Sequence, residues 1–242
     1  MNHQRTLFYL AFFYSVFLNL NYAKQIEIAK TVDNFDLKII YPQILIITDR
    51  KFRSIFTNES EVSTYIVSYW KTVNKVFSKL TNPQVILQIS GIVQLDDLAN
   101  HNIFTTKDRK NLLEYLNPHN LEFDVAVLMS GWNTSLSGPL GYSIESSACN
   151  FPNNFAVVND DGQYRTIFSA AHELAHTFSA QHDDSSSECY ADEKNIMSVF
   201  FYESDLKEFS ICSQQKMQQF FNSKNALCLL NKSFSEENHL KK

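Results

Sequence analysis

The pattern of apolar and polar positions after residue 36 predicts strands and helices that alternate along the chain. Residues 37–48, 84–95 and 123–130 are short runs rich in β-branched and apolar side chains, as buried strands are. Residues 60–80 instead repeat apolar side chains every three or four positions, which predicts an amphipathic helix. A second helix is predicted from residue 105 to residue 116. This alternation predicts an α/β fold with a largely parallel sheet and helices on its faces.

The second half of the chain is patterned less regularly. Residues 140–149 can form one short edge strand, and a helix is predicted to begin within residues 163–166. Beyond His182 the periodicity fades until residues 212–224, which have a helical pattern. Three of the four cysteines lie in this C-terminal stretch. We therefore expect a small, irregular, disulfide-stapled C-terminal lobe.

The first 23 residues have the pattern of a secretory signal peptide. Arg5 precedes an apolar run from Leu7 to Leu18, and a small residue follows at Ala23. The run is shorter than the roughly 20 residues that a membrane-spanning helix needs, and no later apolar stretch is long enough either. A buried N-terminal helix is the alternative interpretation. We expect a secreted, extracellular protein without a membrane span.

Charge and cysteine content narrow the class of protein further. The net charge is −5 and no basic run is present, which argues against a nucleic-acid partner. Four cysteines in an oxidising compartment predict two disulfides, for which three pairings are possible. Secretion would also permit glycans on the sequons at Asn58, Asn133 and Asn231, so that a glycoprotein is expected.

Residues 169–184, SAAHELAHTFSAQHDD, hold three of the seven histidines of the chain. His172 and His176 are four residues apart, so on a helix both imidazoles lie on one face. Glu173 lies about 100° around the helix from His172 and can stand beside a metal without binding it. If the helix ends and the chain turns back, His182 can supply a third nitrogen. Zinc suits imidazole ligands, and catalytic zinc sites take three protein ligands and one water.

A surface helix can carry the HExxH pattern by chance, but the surrounding residues favour a zinc site. HELAHTFSAQHD, followed by NIMS at residues 195–198, resembles the signature of the metzincin zinc proteases. The aspartate after the third histidine and the tail from Phe209 are similar to the adamalysin (reprolysin) branch, which includes snake-venom metalloproteinases and ADAM-type proteases. The resemblance covers most of residues 37–231. It implies a metzincin catalytic domain with a mixed, mostly parallel twisted sheet, helices and a small irregular C-terminal lobe.

The resemblance also implies a role for each matching residue. The three histidines would bind zinc, and Glu173 would be the general base. Met197, which taken alone is a core residue, would form a structural floor beneath the site, and Asp183 would anchor the lower lobe through hydrogen bonds. The implied disulfides are Cys149–Cys228 and Cys189–Cys212. The implied layout is a signal peptide (1–23), a short N-terminal segment (24–36), the metalloprotease domain (37–231) and a polar tail (232–242).

Three features depart from the family pattern. Ser179 stands where the family usually has the glycine that turns the chain off the zinc helix, and a positive φ there costs serine about 1 kcal/mol or more. The family's calcium site would use Gln43, Asp124 and Asn231, but the neutral Gln43 replaces a glutamate, so we expect calcium binding to be weakened. Residues 24–36 leave no room for the usual prodomain, so we expect no cysteine-switch latency.

The expected function is that of a secreted zinc metalloendopeptidase that hydrolyses peptide bonds of extracellular proteins as a monomer. A venom or salivary toxin fits a stand-alone catalytic domain by analogy. Residues 139–147 can pair with an extended substrate as an added strand. An apolar specificity pocket is expected from Val199, Phe200 and Phe201, although the two phenylalanines can equally be core residues.

Two other interpretations of the same residues remain. The chain can be an inert secreted binding module, an alternative that Ser179 and the absence of a prodomain keep open. It can also be a structural zinc protein, which is disfavoured because structural sites are usually closed by four ligands.

Overall fold

The computed structural model describes residues 39–96, 105–116, 121–131, 140–183, 194–198 and 207–230. No helix in these ranges is long and apolar enough to cross a membrane. Several predicted features lie outside the described residues: the signal peptide, the segment 24–36, the tail 232–242, Asn133, Asn231, Cys189, Val199, Phe200 and Phe201.

The strands and helices follow one another along the chain much as the apolar pattern predicts. The described strands are β1 (Ile39–Ile40), β2 (Gln43–Asp49), β3 (Gln84–Val85), β4 (Gln88–Leu95), β5 (Val125–Ser130), β6 (Gly141–Ser143) and β7 (Phe155–Asn159). The described helices are α1 (Arg50–Arg53), α2 (Glu59–Phe77), α3 (Thr106–Leu116), α4 (Ile167–Thr177) and α5 (Ile211–Phe221), followed by a 3₁₀ helix (Lys224–Leu230).

Five strands form the main sheet in the order β4-β2-β5-β7-β6. The pairs β4–β2, β2–β5 and β5–β7 are parallel, whereas the edge strand β6 pairs antiparallel with β7. Strands β1 and β3 form a separate parallel pair. The predicted α/β fold with a mixed, mostly parallel sheet is confirmed.

Alternate side chains of the central strands enter two different cores. On one face of the sheet, Ile44, Ile46 and Val127 pack into the cluster that contains the apolar faces of α2, α4 and α5. On the other face, Leu45 and Leu128 pack against the leucines of α3. Burial on both faces explains why these strands are apolar runs without alternation, as parallel strands are.

The boundaries differ from the predicted ones where the backbone pairing changes. The run 37–48 predicts one strand, but within its described part Pro42 separates β1 from β2, because proline has no N–H for a sheet hydrogen bond. The run 84–95 is likewise divided into β3 and β4. Strand β7 was not predicted from the sequence, because its four consecutive apolar residues are too short a run to identify a strand without periodicity.

Two further sequence features are visible in the fold. The sequon residue Asn58 is exposed at the N-terminus of α2, where its side-chain oxygen accepts a hydrogen bond from the backbone of Glu61. Its glycosylation stays a prediction. Cys149 and Cys228 form a disulfide with a Cα–Cα distance of 5.7 Å, which is the pairing implied by the resemblance. Cys212 is also disulfide-bonded.

Candidate metal centre

Helix α4 carries the HExxH pattern on the border between the core and the surface. Its buried residues pack in the core cluster, while His172 and His176 are only partly buried. The helix ends at Thr177, and the amide of Ala180 donates to the carbonyl of Ala175 at 3.0 Å. The chain therefore turns back, as a third histidine ligand from beyond the helix requires. The buried residues of α4 are Ser169, Ala170, Ala171, Glu173, Leu174, Ala175 and Thr177.

The structure brings the three predicted histidine ligands together. The Nε2 atom of His172 lies 3.0 Å from that of His176 and 3.0 Å from that of His182. The Nε2 atoms of His176 and His182 are 3.1 Å apart. Three nitrogens at this spacing can surround one small cation.

The second ring nitrogen of two of these histidines is held by the backbone. The Nδ1 atom of His172 lies 2.7 Å from the carbonyl oxygen of Ile196, and that of His176 lies 2.7 Å from the carbonyl oxygen of Ala180. A carbonyl only accepts, so each Nδ1 carries the proton and each Nε2 presents a lone pair. Two lone pairs that face each other at 3.0 Å repel unless a cation lies between them. The donor set therefore fits zinc.

Burial keeps these imidazoles neutral. It lowers the pKa of His172 to about 4 and also lowers the pKa of His176. A neutral imidazole is the form that binds a metal ion. The site is therefore ready for a metal at neutral pH without the loss of a proton from either residue.

Glu173 lies beside the histidines and against the edge strand. Its side chain is 9% exposed, and Oε2 accepts a hydrogen bond of 2.6 Å from the hydroxyl of Ser143. Burial raises the pKa of Glu173 to about 7, which the hydrogen bond from Ser143 partly opposes. A carboxyl group with a pKa near neutrality can both take up and release a proton, as a general base must.

Ser179 adopts the left-handed conformation that its family position suggested, with φ of 78°. Ser146, in the loop after β6, is also left-handed, with φ of 55°. The two hydroxyl oxygens are 2.7 Å apart, and both backbone amides donate to the carbonyl of His176 at 2.9 Å. A left-handed conformation costs a non-glycine residue roughly 1–2 kcal/mol, and this pair of hydrogen-bonded serines offsets part of that cost.

Asp183 and Met197 connect the third histidine to the rest of the chain. Asp183 is 1% exposed, and its Oδ1 accepts hydrogen bonds from Ser210 at 2.7 Å and Ser213 at 3.2 Å, at the start of α5. Its backbone amide donates to the carbonyl of Met197 at 2.9 Å, and the Met197 side chain is fully buried. These contacts fix the chain directly after His182.

Asp124 and Gln43, the two predicted calcium residues that the structure describes, do not form a comparable cluster. The Oδ2 atom of Asp124 accepts the backbone N–H of Gln43 at 2.8 Å. The side-chain nitrogen of Gln43 donates to Gln88 at 2.7 Å and to the carbonyl of Tyr41 at 3.2 Å. Burial raises the pKa of Asp124 to about 7, so its negative charge is also incomplete at neutral pH. A calcium site needs several charged or carbonyl oxygens, and these two side chains do not fit one.

Sequence reasoning did not find the groups that support the histidines and Glu173. The carbonyls of Ile196 and Ala180 carry no side-chain signal, and the roles of Ser143 and Ser146 depend on contacts across the fold. The sequence held one sign of these contacts, which was the serine at position 179 where the family usually has glycine. That residue marks the turn in which Ser146 and Ser179 are hydrogen-bonded.

Comparison with known proteins gives one family and several distant relatives. Residues 41–233 match the "Reprolysin (M12B) family zinc metalloprotease". "Venom metalloproteinase 3" of Eulophus pennicornis is 24% identical over 238 residues, which covers 89% of this chain and 57% of that protein. "A disintegrin and metalloproteinase with thrombospondin motifs 16" of Mus musculus is 25% identical over 203 residues, which covers 77% of this chain and 16% of that protein.

Both relatives are thus longer than the region that they share with this chain. A solved structure described as "Structure of a chaperone-substrate complex" covers 82% of this chain and 37% of its own, with a TM-score of 0.58 and 13% identity. At that identity the likeness concerns the fold alone.

Proposed function

The chain belongs to the reprolysin (M12B) family of zinc metalloproteases, and on this basis we propose that it is a secreted zinc metalloendopeptidase that hydrolyses extracellular proteins. The observation that carries the proposal is the convergence of three histidine Nε2 atoms within 3.1 Å of one another, beside the buried Glu173. Members of this family act on peptide bonds, and this arrangement supplies a metal site and a base in one place.

His172, His176 and His182 would hold the zinc ion. A zinc ion held there would polarise the substrate carbonyl and lower the pKa of a water molecule to around 7. Glu173 would take the proton of that water and pass it to the leaving amine.

Strand β6 would hold the substrate backbone. It lies at one end of the five-stranded sheet and pairs with β7 on one side only, as far as the described residues go. An extended peptide can add to such an edge through main-chain hydrogen bonds. The same strand contacts Glu173 through Ser143, so a peptide on its outer side would lie close to the base.

Secretion, a role in venom and the monomeric state are parts of the proposal. The apolar N-terminal run supports secretion, and the disulfides support an oxidising compartment. A relative named as a venom metalloproteinase supports, at 24% identity, a venom protein as one possible role. Extracellular proteins are proposed as the substrate class for the same reasons.

The test is expression of the full chain in a secreting eukaryotic cell line, followed by zinc analysis and casein or gelatin cleavage. We expect secreted protein that begins after Ala23, holds one zinc per chain and loses cleavage when zinc is chelated. Glu173→Ala should lower cleavage about 10²–10⁴-fold and keep the zinc. A chain that holds no zinc, or a Glu173→Ala variant as active as the wild type, would contradict the proposal.

An inert zinc-binding module is the alternative, and the left-handed Ser179 is the observation that favours it. A turn that is strained at this point can displace His182 from a productive position. A secreted protein with one zinc and no cleavage of any general substrate would support this alternative over the protease.

A further inference from the structure

One face of strand β6 is directed at Glu173. Residues that alternate along a strand share a face, so Gly141 and Ser143 lie together and Tyr142, which is 40% exposed, lies opposite. A Cβ atom added to Gly141 would be 2.5 Å from Cγ and 2.7 Å from Oε1 of Glu173. The hydroxyl of Ser143 donates to Oε2 at 2.6 Å. Ser143 thus contacts Oε2, and the Glu173 side chain fills the space that a side chain at position 141 would need.

The hydrogen bond from Ser143 determines how this carboxyl group is rotated. The terminal torsion of a glutamate is broad, so the two oxygens exchange easily unless one of them is held. Ser143 is the one side chain in the described ranges that donates to Glu173. With Oε2 held, Oε1 stays beside Gly141, where the missing side chain leaves space.

We propose that Ser143 is a positioning residue for Glu173, whose hydroxyl holds Oε2 so that Oε1 is the oxygen that takes the proton of the attacking water. The inference rests on the proposed protease function and deepens it. It predicts a role in the rate of the chemical step rather than in zinc binding. It also couples the base to the strand on which the substrate backbone would pair.

The test compares Ser143→Ala and Ser143→Thr with the wild type. Loss of a hydrogen bond to a charged group should lower kcat about 10-fold or more in Ser143→Ala, with KM within about twofold and one zinc retained. Ser143→Thr keeps the hydroxyl on an edge strand and should recover kcat to within about threefold of the wild type. Ser78→Ala, which removes a local hydroxyl contact after α2, is the matched control and should change neither constant.

A double-mutant cycle measures the contact without any need for cleavage. In the zinc-loaded protein, Ser143→Ala should lower the Tm by about 2–4 °C when Glu173 is present. The same change should have an effect of less than about 1 °C in the Glu173→Ala background, because the partner is gone. Additive effects would overturn the proposal, since they would mean that the hydrogen bond contributes nothing.

The remaining outcomes separate this inference from the proposed function. A wild type that cleaves while Ser143→Ala keeps its kcat overturns the role of Ser143 and leaves the protease function standing. Equal losses in Ser143→Ala and Ser143→Thr, or loss of zinc from Ser143→Ala, also overturn it, because packing and not the hydroxyl would be the cause. A zinc-loaded wild type that cleaves nothing overturns the protease function and the role of Ser143 with it.

Discussion

Two parts of the molecule were predicted from the sequence to bind a metal, and they differ in what their polar atoms already contact. In the histidine cluster, Nδ1 of His172 and of His176 are held by backbone carbonyls, and the Nε2 atoms face one another. At Asp124, the carboxylate is held by the backbone N–H of Gln43, and the Gln43 side chain donates to Gln88.

The difference shows that a site can bind a metal only through the ligand atoms that are not already used in hydrogen bonds within the protein. The histidine rings have two nitrogens, and the fold uses one to orient the ring and presents the other. The neutral side-chain amide of Gln43 donates a hydrogen bond to Gln88 within the sheet. Asp124 is a buried acid, and burial raises its pKa to about 7. One site is prepared for a cation, whereas in the other Oδ2 of Asp124 and the Gln43 amide already make internal hydrogen bonds.

The largest expected effect distinguishes these two sites directly. His176→Ala removes one of three converging nitrogens and should abolish bound zinc and cleavage, because two imidazoles no longer enclose the ion. Asp124→Asn should keep one zinc per chain and full cleavage. Zinc analysis after gel filtration measures both variants. If Asp124→Asn loses zinc as completely as His176→Ala, the two sites are not independent.

The sequence predicted the three histidines of the cluster, but it did not predict the groups that hydrogen-bond to the histidines and to Glu173. The spacing of His172 and His176 places both rings on one helix face whatever the rest of the fold does. The position of His182 follows once the helix ends. By contrast, the contacts of Glu173 with Ser143 join residues 30 positions apart, and no local pattern encodes them.

The sheet shows the same limit. Long apolar runs predicted β2 and β5, because fully buried strands must be apolar, and a similar run predicted β4, which is only partly buried. The short β7 was missed, and so was the separation of β1 from β2 at Pro42. The hydrogen bond from the Gln43 side chain to Gln88 was not predictable either. It depends on the parallel register of β2 and β4, which places the two residues opposite each other.

Acid should have the next largest effect, through the histidines. Burial lowers the pKa of His172 to about 4 and that of His176 in the same direction, so protons compete with zinc for these two ligands only as the pH falls well below 6.5. We expect bound zinc and cleavage to persist at pH 6 and to be lost at pH 4, measured after dialysis at each pH. Cleavage should return when zinc and neutral pH are restored. Full activity at pH 4 would be incompatible with histidine ligation.

A smaller effect is expected from the two left-handed serines beside His176. Ser146→Ala removes the hydroxyl contact with Ser179 and leaves the strained conformation of Ser179 in place. It should lower the Tm by about 2 °C in the wild type, on the scale of 2–4 °C per kcal/mol for a chain of this size. In a Ser179→Gly background, the same change should have almost no effect, because the partner hydroxyl is absent.

The Ser146 series is measured on zinc-loaded protein, since the turn also positions His182. Ser179→Gly relieves the left-handed strain and loses the hydrogen bond, so its own Tm should stay close to that of the wild type. A large drop in the Tm of Ser179→Gly would mean that the hydroxyl contact outweighs the strain. Equal effects of Ser146→Ala in both backgrounds would mean that the two serines are not coupled.

The pH dependence of the Tm tests the stability contributed by Asp124. Its pKa is raised from 3.8 to about 7 in the folded state, so the folded chain binds this proton more tightly than the unfolded chain does. The stabilisation is complete below pH 3.8 and is lost as the pH rises through 7. The Tm of the wild type should therefore fall more between pH 5 and pH 8 than that of Asp124→Asn. Glu114→Gln, on the exposed side of α3, is the matched control and should follow the wild type.

Added calcium provides a second test at Asp124, because a bound ion would reverse the direction in which the Tm changes with pH. A bound cation favours the charged carboxylate and would make the folded state more stable as the pH rises. We expect neither calcium chloride nor a calcium-selective chelator to change the Tm of the wild type at pH 8. In Gln43→Glu a second carboxylate is present, and calcium should then raise the Tm. A wild type that is stabilised by calcium, while Asp124→Asn is not, would show that the hydrogen bonds of Gln43 do not close this site.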